Sequence, residues 1–185
     1  MLGDSGVGKT SLANRQCRGQ FSFQMTPTVG TTHMKTIVQV DNYDVELKIW
    51  DTAGQEQFAA LVSMYARGAN VCILVGSYVD PESIKNLDVW LERLHNAGEN
   101  PPIIVAINKT DIIEGAPMTP DQIREEYSER YPNLFFVSAK TGDGVTELFA
   151  SAAQEALRVK KEDDNKGTNI DISHTPSAPK GSNCC

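Results

Sequence analysis

Apolar residues recur along this chain with two periods. In Val45-Glu46-Leu47-Lys48-Ile49 they alternate with charged residues, the pattern of a strand with one buried face. Thr36 to Val40 reads as a second strand, and the turn signal Asp41-Asn42-Tyr43-Asp44 joins it to Val45–Trp50 as a hairpin. Val71 to Val75 and Ile103 to Ile107 are continuous apolar runs, as expected of parallel strands covered on both faces. Leu134 to Val137 is the last strand. Ile84, Leu87, Leu91 and Leu94 recur at helical spacing, with Val89 and Trp90 widening that face as packing residues. Asp80 caps this helix and Pro81 takes its first position. A polar helix spans Asp121 to Glu129. Val145, Leu148, Phe149, Ala152 and Ala156 mark a final amphipathic helix after Gly142-Asp143-Gly144. Strands alternating with helices predict an α/β fold, a mostly parallel sheet with helices on both faces and a hairpin near its start.

Composition narrows the function. With 185 residues the chain is one ordinary domain, and 40% hydrophobic with 22% charged residues is normal for a globular protein. A net charge of −7 leaves no basic surplus for nucleic acid. The apolar runs are too short for a bilayer span, and the first residues lack the pattern of a signal peptide. Cys17 and Cys72 stand without metal-ligand spacing and read as residues of a reducing compartment. From about Glu162 polar residues, Pro and Gly dominate without aromatics, which predicts a disordered tail ending in Cys184-Cys185. The expected division is a domain over 1–160 and a tail over 161–185.

The chemistry lies in short motifs. Gly3-Asp4-Ser5-Gly6-Val7-Gly8-Lys9-Thr10 fits G-x-x-x-x-G-K-[ST]. The glycines let successive N–H groups converge, and a helix starting near Lys9 adds its positive end. Lys9 brings a full charge to the β- and γ-phosphates, and the Thr10 hydroxyl is a ligand for Mg²⁺. A glycine-rich turn before an ordinary helix would look similar, but rarely matches all eight positions. Asp51 ends a strand and is followed by Thr52-Ala53-Gly54-Gln55, where a phosphate-loop protein places its second metal-side acid. Asn108-Lys109-Thr110-Asp111 follows a buried strand. Its carboxylate can accept from N1–H and N2–H₂ of guanine, two donors that adenine lacks. Gln20 to Thr32 is a long polar loop, of the kind more often functional than not. These motifs, with Ser138, fall at the carboxyl ends of strands, where open α/β sheets bind ligands.

Assembled, these residues resemble a P-loop GTPase of the Ras superfamily, over about Gly3 to Leu157 plus the two terminal cysteines. Trp50-Asp51-Thr52-Ala53-Gly54-Gln55-Glu56, Asn108-Lys109-Thr110-Asp111 and Ser138-Ala139-Lys140 follow the phosphate loop in the family's order. Leu47-Lys48-Ile49-Trp50, Tyr65-Ala66-Arg67-Gly68-Ala69 and the Cys-Cys end are similar to the Rab family. Departures from the Rab pattern are Thr28-Val29-Gly30-Thr31-Thr32-His33, which lacks the Asp-Phe pair usual after Gly, Glu56-Gln57-Phe58 in place of Glu-Arg-Phe, and Gly76-Ser77-Tyr78 where a Tyr-Asp pair is common.

The resemblance implies a division of labour. Ser5, Gly6, Val7, Gly8, Lys9, Thr10 and Ser11 would hold the phosphates, and Thr10, Thr28 and Asp51 would hold Mg²⁺. Gly54 would offer its amide to the γ-phosphate, and Gln55 would orient the attacking water, with Lys9 as the catalytic cation. Phe21, Asn108, Lys109, Asp111, Ser138, Ala139 and Lys140 would form the guanine pocket. Hydrolysis of GTP to GDP would be slow without an activating protein, since no arginine finger is identified in cis. Prenylation of Cys184 and Cys185 would anchor the chain, two lipids holding where one is marginal. Expected partners are GTP-dependent effectors, an exchange factor, a GTPase-activating protein and a GDI-type prenyl-binding escort. The place implied is the cytoplasmic face of an intracellular membrane, in vesicle traffic, cycling with cytosol. Two other readings remain: a GTP-binding module that hydrolyses little or folds poorly, and an ATP-using P-loop enzyme, which Asn108 to Asp111 argue against. The family's first central strand is largely absent, with Met1 and Leu2 alone before the loop, so an upstream start is expected.

Overall fold

The computed structural model describes residues 1–24, 28, 30–53, 62–113 and 116–165. Its first layer is an antiparallel hairpin. Strand β1 (Thr31–Val40) pairs with β2 (Tyr43–Thr52) from Thr31↔Thr52 to Val40↔Tyr43, leaving Asp41 and Asn42 as the turn. Asp41 has φ 54, the left-handed backbone that two-residue hairpins require. Met34, Val38, Leu47 and Ile49 point inward, while His33, Lys35, Ile37, Glu46, Lys48 and Trp50 alternate outward. Both strands run further than the Thr36–Val40 and Val45–Trp50 expected. The added residues, among them Thr31 and Thr32 opposite Thr52 and Asp51, continue the ladder without an apolar signal.

Three parallel strands form the second part, in the order β3 (Cys72–Ser77), β4 (Ile103–Asn108), β5 (Leu134–Phe136). Their side chains divide by alternation. Ile73, Val75, Ile104 and Ala106 join a core with the hairpin, helix α1 (Lys9–Arg18) and helix α6 (Val145–Asn165). Cys72, Leu74, Val105 and Ile107 join a second core with helices α2 (Val62–Ala66), α3 (Pro81–Lys85), α4 (Leu87–Asn96) and α5 (Pro120–Tyr127). Fully covered strands of this kind explain the continuous apolar runs.

Met1 and Leu2 lie between the two sheets. Leu2 bridges Leu74 in parallel, its N–H donating to Ile73 O at 2.9 Å and its carbonyl accepting from Val75 N at 2.8 Å. On the other side the Met1 amino group donates to Trp50 O at 2.8 Å, and Thr52 Oγ1 donates to Met1 O at 2.8 Å. The phosphate loop therefore leaves the sheet between β2 and β3.

Asp80 and Pro81 open α3 as expected, with Ser83 N donating to Asp80 Oδ1 at 3.4 Å. The single helix expected from Ile84 to Leu94 is two, joined at Asn86. Leu87, Trp90 and Leu94 are buried, but Val89 is 40% exposed and off the packed face, because it sits two residues from Leu87, on the far side of the helix. Thr119 and Gln122 form a reciprocal capping box on α5, which starts at Pro120 and ends at Tyr127. Helix α6 continues to Asn165, into the stretch expected to lack order. Among the described residues no helix is long and apolar enough to cross a membrane.

Candidate functional site

The loop from Gly3 to Thr10 is shaped by contacts that only glycine permits. Gly3 has φ 143, and a Cβ there would lie 2.2 Å from the Val75 carbonyl oxygen of β3. Gly8 has φ 98 at the start of α1, and a Cβ there would lie 2.3 Å from Asn108 Nδ2. Between them Val7 is buried and pins the loop to the core, while Ser5 and Gly6 are exposed. Lys9 folds back under this arch, Nζ donating to Gly3 O at 2.7 Å and Asp4 O at 2.8 Å. Burial lowers its pKa to about 8, against the attraction of Asp51 and Asp4.

Beside Lys9 three oxygen-bearing side chains meet. Thr10 Oγ1, on the first turn of α1, donates to Asp51 Oδ2 at 2.6 Å and lies 2.8 Å from Thr28 Oγ1. Asp51 is fully buried near the end of β2, and its Oδ1 has no hydrogen-bond partner. Burial raises its pKa, opposed by the bond from Thr10 and by the charges of Lys9 and the Met1 amino group. Two hydroxyls and a carboxylate with a free, buried oxygen suit a hard cation such as Mg²⁺. Among the described residues no group of three or more His, Cys, Asp or Glu gathers, so the softer metals have no comparable set.

The other end of the site is built from the loops after β4 and β5. Asn108 is 2% exposed and spends its amide on the chain itself: Nδ2 donates to Val7 O at 2.9 Å, and Oδ1 accepts from Ala139 N at 3.0 Å. It ties the phosphate loop to the Ser138–Lys140 loop, a role the sequence reading did not assign it. Lys109 has φ 70, a conformation that costs a non-glycine residue and turns the chain toward Asp111. Ser138 Oγ donates to Asp111 Oδ1 at 2.6 Å, and Thr141 N donates to Ser138 Oγ at 3.1 Å. Asp111 Oδ2 has no hydrogen bond; Lys140 Nζ stands 3.5 Å from it as a looser ion pair. Burial works to raise the Asp111 pKa, but the Ser138 bond, its own backbone and Lys140 outweigh it, and the carboxyl stays below its ordinary value. The group is thus an anion with one free acceptor.

Phe21 is half-buried against the core, with its ring edge-on to Phe23 at 5.1 Å, and Lys140 Nζ lies 5.6 Å from the Phe23 ring. Phe23, 81% exposed, was not singled out in the sequence. Nor were four other contacts of the site. Asp4 accepts from Asn86 Nδ2 and Trp90 Nε1, both at 2.7 Å, so Trp90 touches the phosphate loop as well as packing the core. Arg15 donates from Nε to Ala139 O at 2.8 Å and from Nη2 to Lys140 O at 2.6 Å. Gly54, Gln55, Cys184 and Cys185 lie outside the described residues. Ser11 is half-buried on the first turn of α1.

A family model for Ras matches residues 1–158. Ras-related protein Rab-7a of Paramecium octaurelia is 34% identical over 196 residues, which span 100% of this chain and 94% of that protein. GTP-binding protein ypt5 of Schizosaccharomyces pombe is 34% identical over 193 residues, 100% of this chain and 92% of that one. Ras-related protein RABG3a of Arabidopsis thaliana is 36% identical over 192 residues, 100% of this chain and 93% of its own. The chain therefore belongs to the Ras family of small GTPases and to its Rab group, enzymes that bind GTP and GDP and hydrolyse the one to the other.

Proposed function

We propose that this GTPase is a membrane-anchored switch of intracellular vesicle traffic. The observation that supports it most is the meeting of Thr28, Thr10 and Asp51 within hydrogen-bond distance. Thr28 belongs to the loop between α1 and β1, and Asp51 to the strand that leads into the Gly54-Gln55 segment. A ligand held at this junction gathers both segments, and its loss releases them, which is how an order–disorder switch reports its nucleotide.

In this reading Mg²⁺ sits with Thr10, Thr28 and Asp51 and supplies positive charge to the phosphate oxygens. Ser5, Gly6, Val7, Gly8 and Ser11 line the phosphates with their amides, and Lys9 neutralises them. The backbone amide of Gly54 holds the γ-phosphate, and Gln55 orients the attacking water. Phe21, Asn108, Lys109, Asp111, Ser138, Ala139 and Lys140 hold the base, Asp111 selecting guanine. Intrinsic hydrolysis is slow, and an activating protein adds the charge that these residues do not. An exchange factor, GTP-dependent effectors and a GDI-type escort complete the cycle. Residues 1–160 act as the catalytic domain. Residues 161–185 act as a tether to the cytoplasmic face of an intracellular membrane through prenylated Cys184 and Cys185.

Single-turnover hydrolysis of bound GTP, with Mg²⁺ and with EDTA, tests the switch chemistry beside Gln55→Leu. Hydrolysis that needs the metal and slows in the variant, with GTP still bound, supports the assignment. An unchanged rate in Gln55→Leu removes that residue from the mechanism. Full-length protein with Cys184 and Cys185 both changed to Ser should leave the membrane fraction; if it still sediments with membranes, lipid on these residues is not the anchor.

A further inference from the structure

Arg15 and the base loop are 124 and 125 residues apart along the chain at their two contacts, yet this one side chain clamps the loop to the phosphate helix. Arg15 lies in the last turn of α1 and donates to three carbonyl oxygens: Gly19 O at 2.8 Å, Ala139 O at 2.8 Å and Lys140 O at 2.6 Å. Two of these are successive peptides of the base loop. In a trans peptide the carbonyl and the following N–H point to opposite sides. Fixing Ala139 O therefore turns the Lys140 N–H away from Arg15, and fixing Lys140 O turns the Thr141 N–H away as well. The second of these is seen directly, since Thr141 N donates to Ser138 Oγ at 3.1 Å. Ser138 Oγ, having accepted there, gives its own proton to Asp111 Oδ1 at 2.6 Å. A continuous chain of bonds runs from the guanidinium through Lys140, Thr141 and Ser138 to the carboxylate.

We propose that Arg15 is a positioning residue for base selection: by locking the two peptides after Ala139 it sets the orientation of Ser138, and through it the direction in which Asp111 presents its free oxygen to the 2-amino group of guanine. The inference rests on the assignment of Asp111 to the base. It needs the fork of arginine, since one planar group must reach two adjacent carbonyls at once. A simpler role exists for Arg15. With Arg18 it places positive charge at the C-terminal end of α1, where any cation is favourable. Lysine would satisfy that role but not the fork, and this separates the two.

The experiment compares GDP with inosine diphosphate, which lacks only the 2-amino group, in full-chain protein carrying Arg15→Ala, Arg15→Lys or Asp111→Asn. Affinities come from competition against a fluorescent guanine nucleotide, with melting temperatures measured alongside. The preference for GDP over inosine diphosphate is expected to fall roughly ten-fold in both Arg15 variants, as one charged hydrogen bond is misaimed. Arg15→Lys should recover the melting temperature without recovering the preference. If both nucleotides weaken by one common factor, or if Lys restores the preference, Arg15 is only a helix-end cation and the inference fails. If Asp111→Asn keeps the parental preference, the assignment of Asp111 falls, and this inference with it. An Asp111→Asn variant that loses the preference beside Arg15 variants that keep it overturns the role of Arg15 alone.

Discussion

Asn108→Ala should damage the fold itself, not only base binding. The side chain is 2% exposed and makes two bonds to the main chain, giving to Val7 O at 2.9 Å and taking from Ala139 N at 3.0 Å. Alanine removes both at once and leaves a buried carbonyl and a buried N–H with no side-chain partner. Each such orphan costs about 1–3 kcal/mol, so the pair amounts to roughly 2–6 kcal/mol. That is a large part of the roughly 5–15 kcal/mol that holds a domain together. For a chain of this size each kcal/mol moves the melting temperature by about 2–4 °C, so a fall on the order of 10 °C is expected by circular dichroism. Nucleotide concentration must be equal across samples, because bound ligand adds its own stability. GDP should also dissociate faster, since the lost amide holds the phosphate loop and the base loop to one another. Asn108→Asp sharpens the argument. A carboxylate can still accept from Ala139 N but sets an oxygen against Val7 O, so near neutral pH it should melt at or below the alanine variant. It should regain ground on acidification, once protonation restores a donor. An alanine variant that melts within 2 °C of the parent would refute the structural role of Asn108.

Other measurements follow from single contacts. Asp111→Asn replaces the free acceptor with a donor and should weaken GTP binding while improving that of xanthosine nucleotides; a variant that binds GTP like the parent would remove Asp111 from the base site. Trp90→Phe keeps a ring in the core but deletes the indole N–H that meets Asp4 at 2.7 Å. A loss of about 1.5–3 kcal/mol in urea unfolding is expected for a bond to a charged group, and a much smaller loss would show that Asn86 alone satisfies Asp4. Burial raises the Cys72 thiol from 9.0 to about 11. The unfolded chain then ionises first, so stability present below pH 9 declines between pH 9 and 11, by about 3 kcal/mol in all. Cys72→Ala should flatten that decline, and equal slopes in the two proteins would dismiss the thiol as its source.

Much of this was legible in the chain because the informative residues are contiguous. Strands β3 and β4 are covered on both faces, and their unbroken apolar runs announced them within two residues at either end. The hairpin was half legible. Its outer face carries His33, Lys35 and Lys48 to solvent, so its first residues gave no apolar period and only the ladder with β2 defines them. The break at Asn86 was invisible, since Ile84, Leu87 and Leu94 keep helical spacing across it. Among the described side chains of the five-residue helix α2, Val62 and Ala66 are buried, a span too short for a period to be seen. In the site the motifs could be read, but not what joins them. Asn108 reaches Val7 across 101 residues and Arg15 reaches Lys140 across 125, and neither separation leaves a mark in local sequence.

The joining contacts also bear on where a ligand would gain most. Among the described residues four buried side-chain atoms have no hydrogen-bond partner: Thr31 Oγ1, Asp51 Oδ1, Ser77 Oγ and Asp111 Oδ2. Two are the hydroxyls of Thr31 and Ser77. Two are carboxylate oxygens: Asp51 Oδ1, on a carboxyl whose pKa burial raises, and Asp111 Oδ2, which Lys140 Nζ approaches to 3.5 Å as an ion pair. They lie at opposite ends of the proposed nucleotide site, one beside Thr10 and Thr28, the other beside Ser138 and Lys140. A cation at the first would offset the burial that raises the Asp51 pKa, whereas Asp111, already held below its ordinary value, would offer an N–H pair a ready anion. Other polar groups of the site are matched by the chain: Lys9 by Gly3 and Asp4, Asn108 by Val7 and Ala139, Asp4 by Asn86 and Trp90. In the function proposed above, a guanine nucleotide with Mg²⁺ would meet both carboxylates, whereas adenine would offer Asp111 neither N1–H nor N2–H₂.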